Sequence, residues 1–273
     1  MPNHNHRSPG TLVQWSVRLA ASVVVALPSL GAAQLAIPNE RSIPVDFSRT
    51  VSAAKAKSGD PVLAKTLEDV VLADGTTLRK GALVIGHVVE ARGFTFDETP
   101  YAVQQPSVLA VHFDTVRVGH QDVPLSVAVR AMANYLAVDE ARTPPPSDLD
   151  FSGTLTQVGG DEVIPREIEV RSPGGDIVGY KRKQGIVAHL IPARYPSRGE
   201  WHQCGGTNTE EAVAIFSASA CGLYGFAKLE MPDNGASSGT FRLESRRYTV
   251  KLYAGSAALL QVIEPSLARA VQP

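Results

Sequence analysis

The chain has 273 residues and a formal net charge of −1, with 26 Lys and Arg residues against 27 Asp and Glu residues. This balance excludes the strongly basic surface that nucleic-acid-binding proteins use. Aromatic residues make up only 6% of the chain, so the composition gives no reason to expect an extended platform for stacking bases or sugars.

The first 33 residues show the order of features found in a secretory signal peptide. Arg7 and Arg18 supply positive charge, residues 19–30 form a short apolar run, and residues 31–33 (GAA) place small side chains where a signal peptidase cuts. The apolar run is too short for a comfortable membrane span. A buried N-terminal helix and an uncleaved anchor are the alternatives. We therefore predict a signal peptide at 1–33 and an exported protein, periplasmic or extracellular, with no membrane span in the mature chain.

Residues 57–91 form the segment around which the rest of the chain is organised. The segment alternates turn-forming residues with short apolar runs, which is typical of successive β-strands. Asp-Gly at 74–75 favours the two-residue turn of a β-hairpin, because both residues tolerate a positive φ. A glycine within the apolar run 82–89 indicates a bulge, a bend or a close approach of another backbone. The predicted turn and bend residues are Gly59, Asp60, Asp74, Gly75, Gly81 and Gly86.

Alternation of apolar and polar residues continues on both sides of this segment. It is seen at 43–48, 109–114 and 123–130, with the period expected of half-buried strands. Short strands separated by short turns predict a small β-barrel or sandwich in the first half of the chain. The second half shows further short apolar runs with turn residues between them. The predicted fold class is therefore mainly β, with a second β-rich part that carries one disulfide.

A run of three prolines at 144–146 interrupts this pattern. Proline has no backbone N–H, so this run cannot donate to a sheet ladder. We predict a Pro-rich linker or loop at 141–150, between a β-barrel-like domain at 43–140 and a β-rich C-terminal domain at 151–264. The alternative is that the prolines lie in an internal loop of a single domain.

Cys204 and Cys221 are the only cysteines in the chain. An even number of cysteines in an exported protein predicts a disulfide between them. A crosslink closing a loop of this size stabilises a protein by about 3 kcal/mol in the chain-entropy model. The alternatives are a catalytic thiol assisted by His202 or His189, which requires a free thiolate, and a weaker possibility of a metal site.

No other motif indicates a catalytic, cofactor or metal site. The His and Cys spacing matches no standard zinc motif, no GK[ST] follows the glycine pairs, and no serine lies in a G-x-S-x-G elbow. The adjacent carboxylates Glu68 and Asp69 are expected to point to opposite faces of a strand. They therefore form an acid–base pair only with a residue from elsewhere. We predict no catalytic residue, no cofactor and no metal ligand.

A set of turn and strand residues in 57–129 follows a pattern known from one protein family. The set consists of Gly59, Asp60, Ala64, Asp69, Val70, Gly75, Lys80, Gly81 and Gly86, and the run FDTVRVGHQDVPL follows at 113–125. In these residues the chain resembles the β-barrel domain of the TrbI/VirB10 scaffold proteins of conjugation and type IV secretion. The resemblance implies a barrel fold and a place in the bacterial envelope. The remainder of the chain resembles uncharacterised secreted β-rich bacterial proteins.

These features together favour an exported bacterial envelope protein of a non-enzymatic, binding or scaffold type. Its expected partner is another envelope protein or a second copy of itself, and no nucleic acid. One alternative is a secreted hydrolase whose site is assembled from distant residues, for which a deep pocket holding Asp69 or Asp114 with a histidine is the expected sign. The other alternative is a small-ligand-binding β-barrel, which requires a hollow interior.

Overall fold

The computed structural model describes residues 37, 40–72, 75–100, 103–145 and 153–263. The predicted signal peptide at 1–33, the predicted turn residue Asp74 and the second half of the Pro-rich segment, 146–150, lie outside these residues. From Arg41 onward, the described residues belong to one compact unit.

Strands dominate this unit, and the described residues contain 22 of them with a single helix. The strands of the first half are β1 (Ser42–Phe47), β2 (Val51–Ser52), β3 (Pro61–Thr66), β4 (Val70–Val71), β5 (Thr77–Leu78), β6 (Leu83–Arg92), β7 (Ser107–Val118), β8 (Gln121–Pro124) and β9 (Val127–Ala133), followed by the helix α1 (Tyr135–Arg142). The second half contributes β10 (Leu155–Thr156), β11 (Glu162–Val163), β12 (Glu169–Arg171), β13 (Ile177–Arg182), β14 (Gly185–His189), β15 (Ala193–Ser197), β16 (Glu200–Cys204), β17 (Glu210–Ala212), β18 (Gly222–Tyr224), β19 (Glu230–Asn234), β20 (Thr240–Ser245), β21 (Lys251–Leu252) and β22 (Ala257–Val262).

The largest sheet has ten strands in the order β18-β9-β22-β1-β3-β6-β7-β20-β19, with β8 paired to β7. Its edge strands β18 and β19 lie beside each other, so the sheet forms a nearly closed barrel. Closing a sheet in this way leaves little exposed strand edge. The prediction of a mainly β, barrel-like fold is confirmed.

The barrel takes strands from both sides of the Pro-rich segment. Strand β22 lies between β1 and β9, and β20 pairs with β7. The hydrogen-bonded sheet therefore crosses the predicted boundary between 43–140 and 151–264. This pairing corresponds to the alternative in which the prolines lie in a loop of one domain.

Helix α1 occupies part of the segment that the sequence indicated as a domain end and linker. It begins after Asn134, whose Oδ1 accepts a hydrogen bond from the Ala137 amide at 2.8 Å. Asparagine is a favoured residue at this capping position. The helix buries Val138 and Ala141 and ends at Arg142, shortly before the prolines. The helix therefore covers 141–142, the first two residues of the predicted linker or loop at 141–150.

The inside of the barrel is filled by apolar side chains. The ring centroids of Phe47 and Phe113 are 6.1 Å apart, and those of Phe113 and Phe241 are 6.0 Å apart. All three rings are almost completely buried, and such aromatic contacts stabilise a core beyond the area that they bury. This packing does not provide the hollow interior that a ligand-binding barrel needs.

A second sheet of six strands packs outside the barrel, in the order β10-β11-β12-β13-β14-β17. A second apolar core joins it to α1 and to the outer faces of β9 and β22. Three two-stranded ladders complete the fold, namely β15 with β16, β2 with β21, and β4 with β5. The barrel, the second sheet and the helix are therefore packed together as parts of one unit.

The predicted disulfide between Cys204 and Cys221 is present, with the two Cα atoms 6.0 Å apart. The buried Arg130 of β9 supports the same region. Its guanidinium donates to the carbonyl oxygens of Ile191 at 2.5 Å and of Ala220 at 3.0 Å, and also to that of Gly205. Burial lowers the pKa of Arg130 to about 10, so the side chain stays charged at neutral pH.

Candidate functional site

The candidate functional site is a groove lined by four aromatic side chains, which we call the tyrosine groove. It is formed by Tyr135, Phe226, Tyr248 and Tyr253 and has a volume of about 390 Å³. The rings of Tyr135 and Tyr253 meet edge to face, with their centroids 5.4 Å apart. The four rings come from three separate parts of the chain, which are the start of α1, the β18–β19 connection and the residues flanking β21.

Hydrogen bonds from Asn134 hold the start of α1 and the β18–β19 connection together. Its side-chain amide donates to the carbonyl oxygen of Gly225, and its own backbone amide donates to the Tyr224 carbonyl at 3.0 Å. Gly225 has a φ of +71°, and a Cβ at this position would lie 2.5 Å from the Asn134 Oδ1. The glycine is therefore required for the close approach that places Tyr135 and Phe226 on the same groove.

The three tyrosines leave a large part of their surface in solvent. Tyr135 is 43% exposed, Tyr248 is 40% exposed and Tyr253 is 43% exposed. Burial raises the pKa of Tyr248, so its hydroxyl group remains protonated and able to donate a hydrogen bond. Tyrosine offers a rigid apolar ring together with a polar end, which makes it a frequent contact residue at binding surfaces.

The charge of the groove is positive. Lys251 is its only charged lining residue among those described, and no carboxylate lines it. A second concavity of about 500 Å³ begins on the other side of Lys251 and Tyr253, and Lys55 and Asp60 line it. The carboxylate of Asp60 accepts the Lys57 amide at 2.8 Å, and this hydrogen bond fixes the turn there. The two concavities share the Lys251–Tyr253 edge.

A smaller pocket of about 260 Å³ contains Glu68. The two carboxylate oxygens of Glu68 accept the amides of Ile186 at 2.9 Å and of Ala214 at 3.2 Å. These bonds join the end of β3 to β14 and to the segment after β17. Desolvation raises the pKa of Glu68 to about 7, against the lowering effect of both amides. We assign Glu68 a structural role between the barrel and the six-stranded sheet.

Asp69, next to Glu68, faces a different environment. Its carboxylate accepts the Lys80 amide at 2.7 Å and pairs with Arg79 at 2.9 Å. These hydrogen bonds, the one from the Lys80 amide first, lower its pKa. The two carboxylates therefore have separate hydrogen-bond partners. Both lie in the connection between β3 and β4 and not on a strand, so the expected alternation of strand faces does not apply to them.

Asp114 does meet a histidine, but on the outside of the barrel. Nδ1 of His87 lies 2.9 Å from the Asp114 carboxylate, and both side chains are 40% exposed. The ring of His112 is 5.7 Å from that of His87, and its Nδ1 lies 3.2 Å from the Thr240 hydroxyl. None of the cavities described above contains these residues, so they form a polar surface cluster and not the deep pocket expected of a hydrolase.

The other residues proposed from sequence are placed as follows. Both cysteines are bonded, which removes the thiol that His202 or His189 would have assisted. His202 instead stacks on Tyr195, with ring centroids 5.2 Å apart. Within the described ranges, no group of three or more His, Cys, Asp or Glu side chains is arranged to hold a metal ion.

Three of the predicted glycines lie in turns or bends between strands, and the fourth lies inside a barrel strand. Gly59, Gly75 and Gly81 have φ values of +88°, +81° and +82°, which side chains rarely adopt. Gly86 lies in β6 where the register with β7 shifts, and a Cβ there would be 2.3 Å from the His112 carbonyl oxygen. These glycines shape the barrel and do not line the tyrosine groove.

Sequence reasoning missed the groove because its aromatic residues are isolated along the chain. The low aromatic fraction argued against a stacking surface, yet the fold collects four rings in one place. One local signal was available, since Asn134 before an amphipathic segment marks a helix start and thereby places Tyr135 in the first turn.

No helix in the described part of the chain has the length and apolar character needed to cross a membrane. In comparisons with protein-family models, with curated proteins and with solved structures, nothing matches this chain.

Proposed function

We propose that this protein is an exported bacterial envelope protein of a binding or scaffold type, and that the tyrosine groove is its binding surface. The observation that carries the proposal is the convergence of three exposed tyrosines and Phe226 on one concave site. Concave sites with an apolar lining and a few polar groups are the usual form of a binding site.

Export is supported by two features. The first 33 residues have signal-peptide character, and both cysteines form a disulfide of the kind that persists in oxidising compartments. The resemblance of residues 57–129 to the TrbI/VirB10 barrel agrees with a place in the envelope. We propose that this part of the chain is related to that barrel domain. Function is argued from the groove, because a barrel fold alone does not establish one.

The complex with a partner should be stabilised when the partner covers the aromatic rings of the tyrosine groove. Covering apolar surface yields roughly 25 cal/mol per Å². Tyr135, Tyr248 and Tyr253 each leave two-fifths or more of their surface exposed. These rings can therefore act as the anchors that dominate the energy of an interface.

Site-specific photocrosslinking in cells tests the proposal. A photoreactive phenylalanine analogue is placed at Tyr248 in the groove, and at Ile168 as a control. Ile168 is 66% exposed and immediately precedes β12, a strand of the six-stranded sheet. We expect a crosslinked species of higher mass from position 248 that is absent from position 168 and disappears when Tyr253→Ala is added. Equal crosslinking from both positions, or none from position 248, would overturn the assignment of the groove.

The two alternatives have less support. The hydrolase alternative has the His87–Asp114 pair, but that pair lies on an open sheet surface. The small-ligand barrel lacks room where Phe47, Phe113 and Phe241 pack together. Loss of hydrolytic activity in Asp114→Asn, measured against a panel of ester, peptide and glycoside substrates, would revive the first alternative.

A further inference from the structure

The tyrosine groove carries a positive charge, opposite in sign to the formal net charge of −1 of the chain. Lys251 lines the groove, is exposed, and has no carboxylate beside it among the lining residues. Lys55 and Lys251 line the adjoining concavity together with one carboxylate, that of Asp60, so the charge of its lining residues is also positive. An anionic ligand is therefore favoured over a cationic or a neutral one.

The shape of the surface favours a ligand longer than one ring. The tyrosine groove and the second concavity have volumes of about 390 Å³ and about 500 Å³ and meet at Lys251 and Tyr253. A chain molecule that follows both would pass the shared Lys251–Tyr253 edge and would meet Lys55 beyond it. Along such a path the four aromatic rings come first, and the two lysines lie at the shared edge and beyond it.

The lining groups favour sugar rings. The face of an aromatic ring carries partial negative charge, and the C–H groups on one face of a pyranose ring pack well against it. The tyrosine hydroxyls, the Lys251 ammonium and the Thr249 side chain can hydrogen-bond to sugar hydroxyls at the ring edges. The groove is lined by residues of a helix start, a connection and the segment around β21, and an extended peptide paired with the edge of β21 is the competing occupant.

We propose that the tyrosine groove and the adjoining concavity bind an acidic polysaccharide, with pyranose rings stacked on Tyr135 and Tyr253 and carboxylates paired with Lys251 and Lys55. This inference rests on the proposed function, because it names the ligand class of the same groove. It requires no chemical step and no cofactor.

Affinity electrophoresis and calorimetry with three polymers test the inference. The probes are polygalacturonate, a neutral galactan, and polyglutamate as an acidic chain without sugar rings. We expect polygalacturonate to bind most tightly and its affinity to fall with added salt, because exposed ion pairs are screened.

Three variants separate the contributions of ring and charge. Tyr253→Ala should weaken polygalacturonate binding about tenfold or more, since aromatic anchors dominate interfaces. Lys251→Gln should weaken polygalacturonate binding and reduce the preference over galactan, because Lys55 remains. Lys65→Gln, an exposed lysine on β3, is the matched control and should change nothing. Unchanged thermal unfolding of each variant confirms that the fold is intact.

The outcomes distinguish this inference from the proposed function. If galactan and polygalacturonate bind equally well and Lys251→Gln changes neither affinity, the groove remains a binding surface, but the claim that its ligand is acidic is overturned. If polyglutamate binds as tightly as polygalacturonate, sugar rings are not required and the assignment of a polysaccharide ligand is overturned. No binding of any polymer would overturn the whole inference, while the crosslinking from position 248 would still decide whether the groove binds a partner.

Discussion

Replacing Glu68 with glutamine is expected to flatten the dependence of stability on pH between about pH 5 and pH 8. In the folded protein, burial raises the pKa of Glu68 from 4.5 to about 7. The folded state therefore holds a proton that the unfolded state has released over this window, and stability is lost as the pH rises through it. A shift of this size corresponds to at most about 3 kcal/mol.

The assay is urea unfolding at pH 5, 6, 7 and 8 for the wild-type protein, Glu68→Gln and Glu98→Gln. Glu98 is an exposed glutamate and is the matched control. The amide group of glutamine satisfies only one of the Ile186 and Ala214 amides, so Glu68→Gln should cost about 1 kcal/mol at pH 5, where Glu68 of the folded wild-type protein is protonated. This cost should shrink as the pH rises, because only the wild-type protein loses the stability that is linked to the Glu68 proton.

Burial also raises the pKa of Asp161, which leaves a residual slope of the same sign in all three proteins. The quantity that decides the matter is therefore the difference in slope between the wild-type protein and each variant. The wild-type protein and Glu98→Gln should lose stability in parallel as the pH rises, and Glu68→Gln should lose less. An identical slope in the wild-type protein and Glu68→Gln would refute the reasoning.

Two further perturbations test the region around the disulfide. Cys204→Ser and Cys221→Ser should each lower the free energy of unfolding by about 3 kcal/mol, and a reductant should lower the melting temperature of the wild-type protein similarly; identical melting with and without reductant would contradict this. Arg130→Met should destabilise the protein by about 2 to 3 kcal/mol, because it removes a buried charged donor from three carbonyl groups, of which the one on Ala220 is itself buried. Urea unfolding measures that loss, and an unchanged midpoint would show that Arg130 does not support the loops.

Local features of the fold were accessible from sequence because they depend on a few adjacent residues. The positive φ of Gly59 and Gly81 follows from turn chemistry that glycine alone satisfies easily. The disulfide follows from the cysteine count and the expected compartment. Period-two alternation marked strands such as β1 and β7, although the structure buries most residues on both faces of these two strands.

Long-range features were not accessible, because they depend on which strands meet. Nothing in the pattern of β22 specifies that it pairs with β1 on one side and β9 on the other. The tyrosine groove depends on the same closure. Tyr135 and Tyr253 are more than a hundred residues apart in the chain, and only the pairing of the surrounding strands brings their rings into contact.

The position of β22 also determines the order in which the barrel can be completed. Ser42 pairs with Gln261, so one of the ladders that close the sheet joins residues near the two ends of the described chain. Contacts this distant in sequence slow folding, and until β22 arrives both β1 and β9 present unpaired edges that invite aggregation. A growing chain that ends at the prolines is therefore an unfinished barrel, and it needs protection until the residues of β22 have been made.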